Sequence, residues 1–179
     1  MPYDHFEHRH RFAVWAGARA AQRGFTTVKN LRDALEATSI RKYLAQSESV
    51  EIDAKTFEDH HRKWCNEIVE FLLRRGLNGV TFGRAAKLVA VYLKAMVVVG
   101  EEARKSLAGV AHPPIDKLLL QNLASSHNFS SDYKSLWRST AWTNLNEDDY
   151  YKLLATLRTV IPVTEPWWKL EQYWTVTNN

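Results

Sequence analysis

A single cysteine, Cys65, among 179 residues leaves no partner for an internal disulfide and fits a reducing compartment. No apolar run reaches the ~18 residues that a bilayer span needs. The strongly apolar stretch from Ala85 to Val99 is interrupted by Lys87 and Lys94. The opening MPYDHFEHRHRF puts charges and histidines where a signal peptide has its apolar core. A soluble, cytoplasmic protein without a membrane partner is therefore expected. Seven histidines invite a zinc reading, but no CxxC or HxxxH pair stands beside a third ligand, so no metal and no cofactor are expected. His5, His8, His10 and the His60-His61 pair read instead as solvated or capping groups. Walker, GxGxxG, GxSxG and HExxH motifs are all missing. Strand-like alternation never exceeds four residues apart from the ambiguous Val97 to Val99, and there is no repeat or low-complexity tract.

These absences leave an all-α chain, long enough for one domain with a real core and short for two. A single domain over 1–179, acting as a monomer, is therefore expected. Apolar residues make up 45%, with seven each of Trp, Tyr and Phe, and Lys plus Arg exceed Asp plus Glu by 24 to 20. That mild positive charge is compatible with nucleic acid without being diagnostic of it.

Helical spacing and capping residues order the chain. A first helix runs from His5 to Arg23, stops at Gly24, and carries Arg9, Arg11, Arg19 and Arg23 with His8 and His10. Thr26 or Thr27 caps a second helix with Val28, Leu31, Leu35 and Ile40 as its stripe. Residues 41–53 read as a polar loop with a helical turn. Asp53 caps a third helix to Arg75, whose buried face includes Phe57, His61, Trp64, Cys65 and Ile68. Gly76 and Gly79 break it with positive φ. Thr81 then caps a central helix, apolar on every face, that ends at Gly100. Pro113 and Pro114 open the next helix, with Asp116 in its first turn. Ser131 caps a short helix to Trp137, Trp142 sits in a turn, and Asn146 starts a helix to Thr159. A short helix from Trp167 ends the series near Trp174.

The organising stretch is Phe82 to Leu120, because it brings a lysine and an aspartate into otherwise apolar surroundings. Lys87 reads either as a snorkelling or acid-paired lysine or as an amine of depressed pKa. Asp116 reads either as a helix-start carboxylate or as one aimed into a cleft to stabilise a cation or activate water. The turn at 76–83 is either an ordinary helical hairpin or a DNA clamp whose backbone N–H groups hold a phosphate.

Gly79-Val80-Thr81-Phe82-Gly83, Lys87 and Ile115-Asp116-Lys117-Leu118-Leu119 together resemble the helix-hairpin-helix DNA glycosylases, over roughly a quarter of the chain. The hairpin lacks the compact Gly-x-Gly, Lys87 follows Gly83 by four residues instead of two, and the step to Asp116 is long. In these departures the chain is similar to the archaeal 8-oxoguanine branch. HRHRFAVWAGARAAQRG and VYLKA…HPPID also resemble a family of small bacterial proteins that includes glycosylases directed at phage DNA with modified cytosine.

The resemblance implies a compact helical fold built around a helix-hairpin-helix, with the hairpin and catalytic segment at about 66–124. It implies a DNA N-glycosylase that acts on a modified base flipped out of double-stranded DNA. Asp116 would stabilise the sugar cation or orient water, and Lys87 would act as nucleophile or polarise the site. Gly79, Thr81, Gly83 and Arg84, with Arg11 and Arg19, would contact DNA. His112, Trp137 and Trp142 are expected to line the base pocket, on residue type and proximity in sequence alone. A non-catalytic nucleic-acid-binding module and a protein-interaction domain remain open beside it.

Overall fold

The computed structural model describes residues 3–46, 51–99 and 105–175. Nine α-helices carry the described chain: α1 (His5–Gln22), α2 (Val28–Glu36), α3 (Ile40–Gln46), α4 (Ala54–Arg74), α5 (Phe82–Leu93), α6 (Lys105–Val110), α7 (Lys117–Ser125), α8 (Ser131–Ser139) and α9 (Glu147–Arg158). A π-helical segment, Lys94–Val98, extends α5, and short 3-10 segments occupy Trp142–Asn144 and Trp167–Tyr173. No strand occurs among the described residues. No helix among them is long and apolar enough to cross a membrane.

Helix starts follow side-chain chemistry. Asp4, Thr27, Asp53, Thr81, Asp116, Ser130 and Asn146 each accept a backbone N–H from the first turn they precede. Three starts differ from expectation. The cap of α8 is Ser130, one residue before Ser131. Ile40 begins a separate helix, α3, because Thr38 turns the chain: its hydroxyl donates to the Leu35 carbonyl and accepts from the Ile40 N–H. Pro113 and Pro114 lie ahead of α7 in a buried, non-helical approach, so Asp116 caps the helix and is not inside its first turn. The expected helix end at Gly100 lies outside the described residues.

The centre of the molecule is α5, buried at ten positions. Helix α1 crosses it closely because Gly17 has no side chain; a Cβ there would sit 2.9 Å from the Leu88 carbonyl oxygen. Helix α4 packs on another side and leads into α5 through the glycine turn. There the Leu77 N–H reaches the Leu72 carbonyl and the Gly76 N–H reaches that of Leu73, a Schellman closure in which Gly76 has φ 72°. Phe57, His61, Phe82, His112, Tyr150 and Tyr151 form a continuous aromatic cluster joining the N-terminal part of α4 to α5 and α9.

Candidate active site

Lys87 and Asp116 meet in the interior. The lysine points from the middle of α5, whose other faces are occupied by apolar packing. The aspartate is delivered by the buried Pro113–Ile115 approach and held extended (φ −150°) at the start of α7. Lys87 Nζ donates to Asp116 Oδ2 at 2.9 Å, and Trp174 Nε1 donates to the same oxygen at 3.0 Å. Oδ1 accepts the Leu119 N–H at 3.0 Å. Each member of the pair is only 6% exposed. Burial pushes the Asp116 carboxyl toward its neutral form, but the Lys87 charge and three donors outweigh it, so its pKa lies below the ordinary value. Burial dominates at Lys87, whose pKa is lowered despite the attraction of Asp116. The site therefore combines an ionised carboxylate with an amine that gives up its proton more readily than usual.

The pair lies in the wall of a cleft of about 550 Å³. Phe12, Ala16, Arg19 and Arg23 line it from α1, at the i, i+4, i+7, i+11 spacing of one helix face. Glu171 and Trp174 close it from the C-terminal 3-10 segment and the residue after it, and Lys94 of the π-helical segment pairs with Glu171. Arg23 also lines a neighbouring hollow of about 600 Å³ that contains Lys117, Trp137, Arg138 and Trp142.

Two amides of the expected hairpin are engaged by the protein itself. The Gly83 N–H is not turned to solvent; it donates to the Leu145 carbonyl at 2.9 Å. A Cβ on Gly83 would lie 2.1 Å from the Trp142 carbonyl oxygen, so this glycine admits the 142–145 segment against α5. Thr81 caps Arg84 N–H and donates its own proton to the Thr143 carbonyl. Gly79 supplies a positive φ of 73° beside Phe25. Arg84 stacks over Phe25 at 4.6 Å, with Nε and Nη1 buried and unpartnered, and burial lowers its pKa. The hairpin amides of Gly83 and Arg84 are thus occupied by the protein itself.

Other expected residues divide between the clefts and the core. Arg19 lines the Lys87–Asp116 cleft, whereas Arg11 pairs with Glu7 outside it. Trp137 and Trp142 line the neighbouring hollow, with Trp137 fixed by a hydrogen bond from Nε1 to Thr156 Oγ1. His112 lines neither; it is buried against Phe57, His61 and Trp167 because the Pro113-Pro114 approach carries it under the surface. His61 is likewise fully buried rather than solvated, and His10 is buried between Tyr92 and Glu36. Burial holds both cluster histidines neutral, lowering His61 to about 3 and His112 well below its ordinary value.

Sequence reasoning missed Trp174, Lys94, Glu171 and the placement of Arg23. The α1 spacing carried a signal for Arg23, which falls on the face of Phe12 and Arg19; nothing in sequence brings Trp174 to Asp116 across 58 residues. Among the described residues no group of three or more His, Cys, Asp or Glu is arranged to hold a metal ion. Compared with family models, curated proteins and solved structures, the chain has no match.

Proposed function

We propose that this chain is a DNA N-glycosylase, acting as a cytoplasmic monomer on a modified base extruded from double-stranded DNA. The observation that supports this reading is the buried Lys87–Asp116 pair in the wall of an open cleft rimmed by Arg19, Arg23 and Lys94. A cleft of this volume is in the range that receives a small organic group, and its cations suit a polyanion. The resemblance around Lys87 and Ile115-Asp116 points to the same chemistry.

Breaking the C1′–N bond leaves the electron pair on the departing base, which takes up a proton, and leaves positive charge on the sugar. Asp116, ionised and with its oxygens fixed by three donors, supplies the stabilising negative charge. Attack by water at C1′, with loss of a proton to solvent, yields an abasic site. If neutral Lys87 attacks C1′ instead, it loses a proton, and opening of the sugar ring gives an imine that borohydride traps. The rings of Phe12 and Trp174 offer a base a stacking wall, and Arg19, Arg23 and Lys94 offer a glucosyl group polar partners, as glucosylated hydroxymethylcytosine needs; 8-oxoguanine is the repair-type alternative.

A non-catalytic DNA-binding module is the second reading, favoured by one observation: Asp116 also caps α7, and Lys87 is its counter-ion. The two readings separate on base release. Wild type and Asp116→Asn are incubated with glucosylated hydroxymethylcytosine, 8-oxoguanine and unmodified duplexes, and abasic aldehydes are measured. Modification-dependent release that disappears in the variant supports the glycosylase. Binding without release on every substrate supports the module.

A further inference from the structure

Arg23 stands where a glycine is expected. It ends α1 with φ 38° and ψ 44°, the left-handed conformation that side chains disfavour, and no other non-glycine residue among those described has positive φ. Its guanidinium has no carboxylate partner among the described residues. It nevertheless acts on the buried Lys87 as a like charge, lowering that residue's proton affinity. A left-handed backbone that glycine would adopt more readily, carrying an exposed arginine on the same cleft as a buried lysine, is a combination the fold itself does not require.

The placement of Arg23 accounts for that combination. Its side chain lines both hollows, the one containing Lys87 and Asp116 and the one containing Trp137 and Trp142. The two hollows adjoin at further points. Asp116 faces the first and its neighbour Lys117 the second, and Lys87 Nζ lies 6.0 Å from the Trp142 ring that lines the second. In the second hollow Arg23, Lys117 and Arg138 are the charged lining residues, and no Asp or Glu lines it. Arg138 is anchored by donation to the Ala124 carbonyl, and none of the three has a carboxylate partner among the described residues.

We infer that the hollow between Arg23, Lys117 and Arg138 is a phosphodiester site, which holds the strand next to the nucleotide occupying the Lys87–Asp116 cleft. This rests on the proposed function for the identity of that nucleotide, but the strand site stands on its own charges. A planar guanidinium suits two phosphate oxygens at once. Arg23 at the shared wall then contacts the phosphate between the two subsites, pairing the anion with an exposed guanidinium that has no carboxylate partner among the described residues. With the Gly83 and Arg84 amides engaged by Leu145 and Thr81, this trio is the strand-holding element.

The test measures binding of a fluorescent duplex carrying a tetrahydrofuran abasic analogue, across a salt titration, for wild type, Arg23→Gly, Lys117→Ser and the control Lys63→Ser, an exposed residue of α4 that lines neither hollow. Arg23→Gly is expected to weaken binding roughly ten-fold and to lower the salt slope by about one. Its Tm should stay level or rise, because glycine relieves the left-handed backbone. A residue with a purely structural role would show the reverse pattern. Lys117→Ser should lower the salt slope similarly, and Lys63→Ser should match wild type.

Wild-type affinity and slope in Arg23→Gly would overturn the site, as would a loss of binding matched by a fall in Tm. Stabilisation by inorganic phosphate without Arg23-dependent DNA binding would reassign it to a free anion, and tighter Arg23-dependent binding of RNA would reassign it to RNA; either defeats the proposal. Base release is measured on the same preparations. Arg23-dependent binding without release leaves the strand site and removes the glycosylase, whereas release with unaltered binding in Arg23→Gly does the opposite.

Discussion

Lys87 Nζ and Asp116 Oδ2 lie 2.9 Å apart, although 29 residues separate them and each belongs to a different helix. The contact joins the middle of α5 to the start of α7, and Trp174 shares the same carboxylate oxygen. A buried ion pair of this kind contributes little net stability, yet losing one partner strands the other charge. Its role in the fold and its role in the cleft can therefore be separated by choosing which property of Asp116 is removed.

Asn and Asp cap helices about equally well, so Asp116→Asn keeps an acceptor for the Leu119 N–H while removing the charge. Asp116→Ala loses both and should be less stable than Asp116→Asn by about 1 kcal/mol, read by urea denaturation. Base release should fall about 100-fold or more in both. Equal activity in Asp116→Asn and wild type would remove Asp116 from the chemistry.

Lys87→Met should cost about 3–5 kcal/mol because it leaves the carboxylate buried without its counter-ion. Adding Asp116→Asn should recover part of that loss, giving a coupling energy in a double-mutant cycle. Additive losses would mean that the two groups do not interact in solution as they do in the structure.

Much of this architecture was legible from local chemistry. Thr81, Asp53 and Asn146 announced helix starts because the capping bond is made within four residues, and the apolar run after Phe82 announced the central helix. Lys87 and Asp116 could be singled out because charged residues are conspicuous in apolar surroundings. The function of Gly83 was not legible: a glycine near a turn suits a phosphate contact or a close backbone approach equally. Only the long-range arrival of Trp142 and Leu145 decides between them. His112 was misplaced for the same reason, since proximity to Asp116 in sequence says nothing about the direction in which a proline-stiffened approach turns each side chain.

Gly83→Ala tests that assignment. Its Cβ would overlap the Trp142 carbonyl oxygen, so the 142–145 segment must shift. A loss of about 1–3 kcal/mol is expected from denaturant unfolding, in the range of overpacked cores. An unchanged midpoint accompanied by weaker DNA binding would restore the hairpin-clamp role.

Acid should unfold the protein through its buried histidines. His61 pairs with Tyr151 and has a pKa of about 3, and His112 is also lowered by burial. Unfolded histidines take up protons near pH 6.5. Stability is thus fully present above that pH and is lost as pH falls below it, by about 1.4 kcal/mol per pH unit for each histidine. Urea denaturation from pH 7.5 to 4.5 should show this slope, reduced by about half in His61→Gln. A flat profile would mean that these histidines are protonated in the folded state.

Trp174→Phe reaches the carboxylate without touching the lysine. The indole N–H is one of three donors that keep the Asp116 pKa below its ordinary value. Removing it raises that pKa while retaining an aromatic ring on the cleft. On the proposed mechanism base release requires the ionised carboxylate, so the acid limb of its pH profile should move to higher pH, with the plateau less affected. Trp168→Phe, a change at an exposed residue, should leave the limb in place. A Trp174→Phe limb identical to wild type, with folding intact, would show that the indole packs beside Asp116 without tuning it. A loss of binding alone would instead make Trp174 a wall for the ligand, so the profile separates an electrostatic role from a steric one.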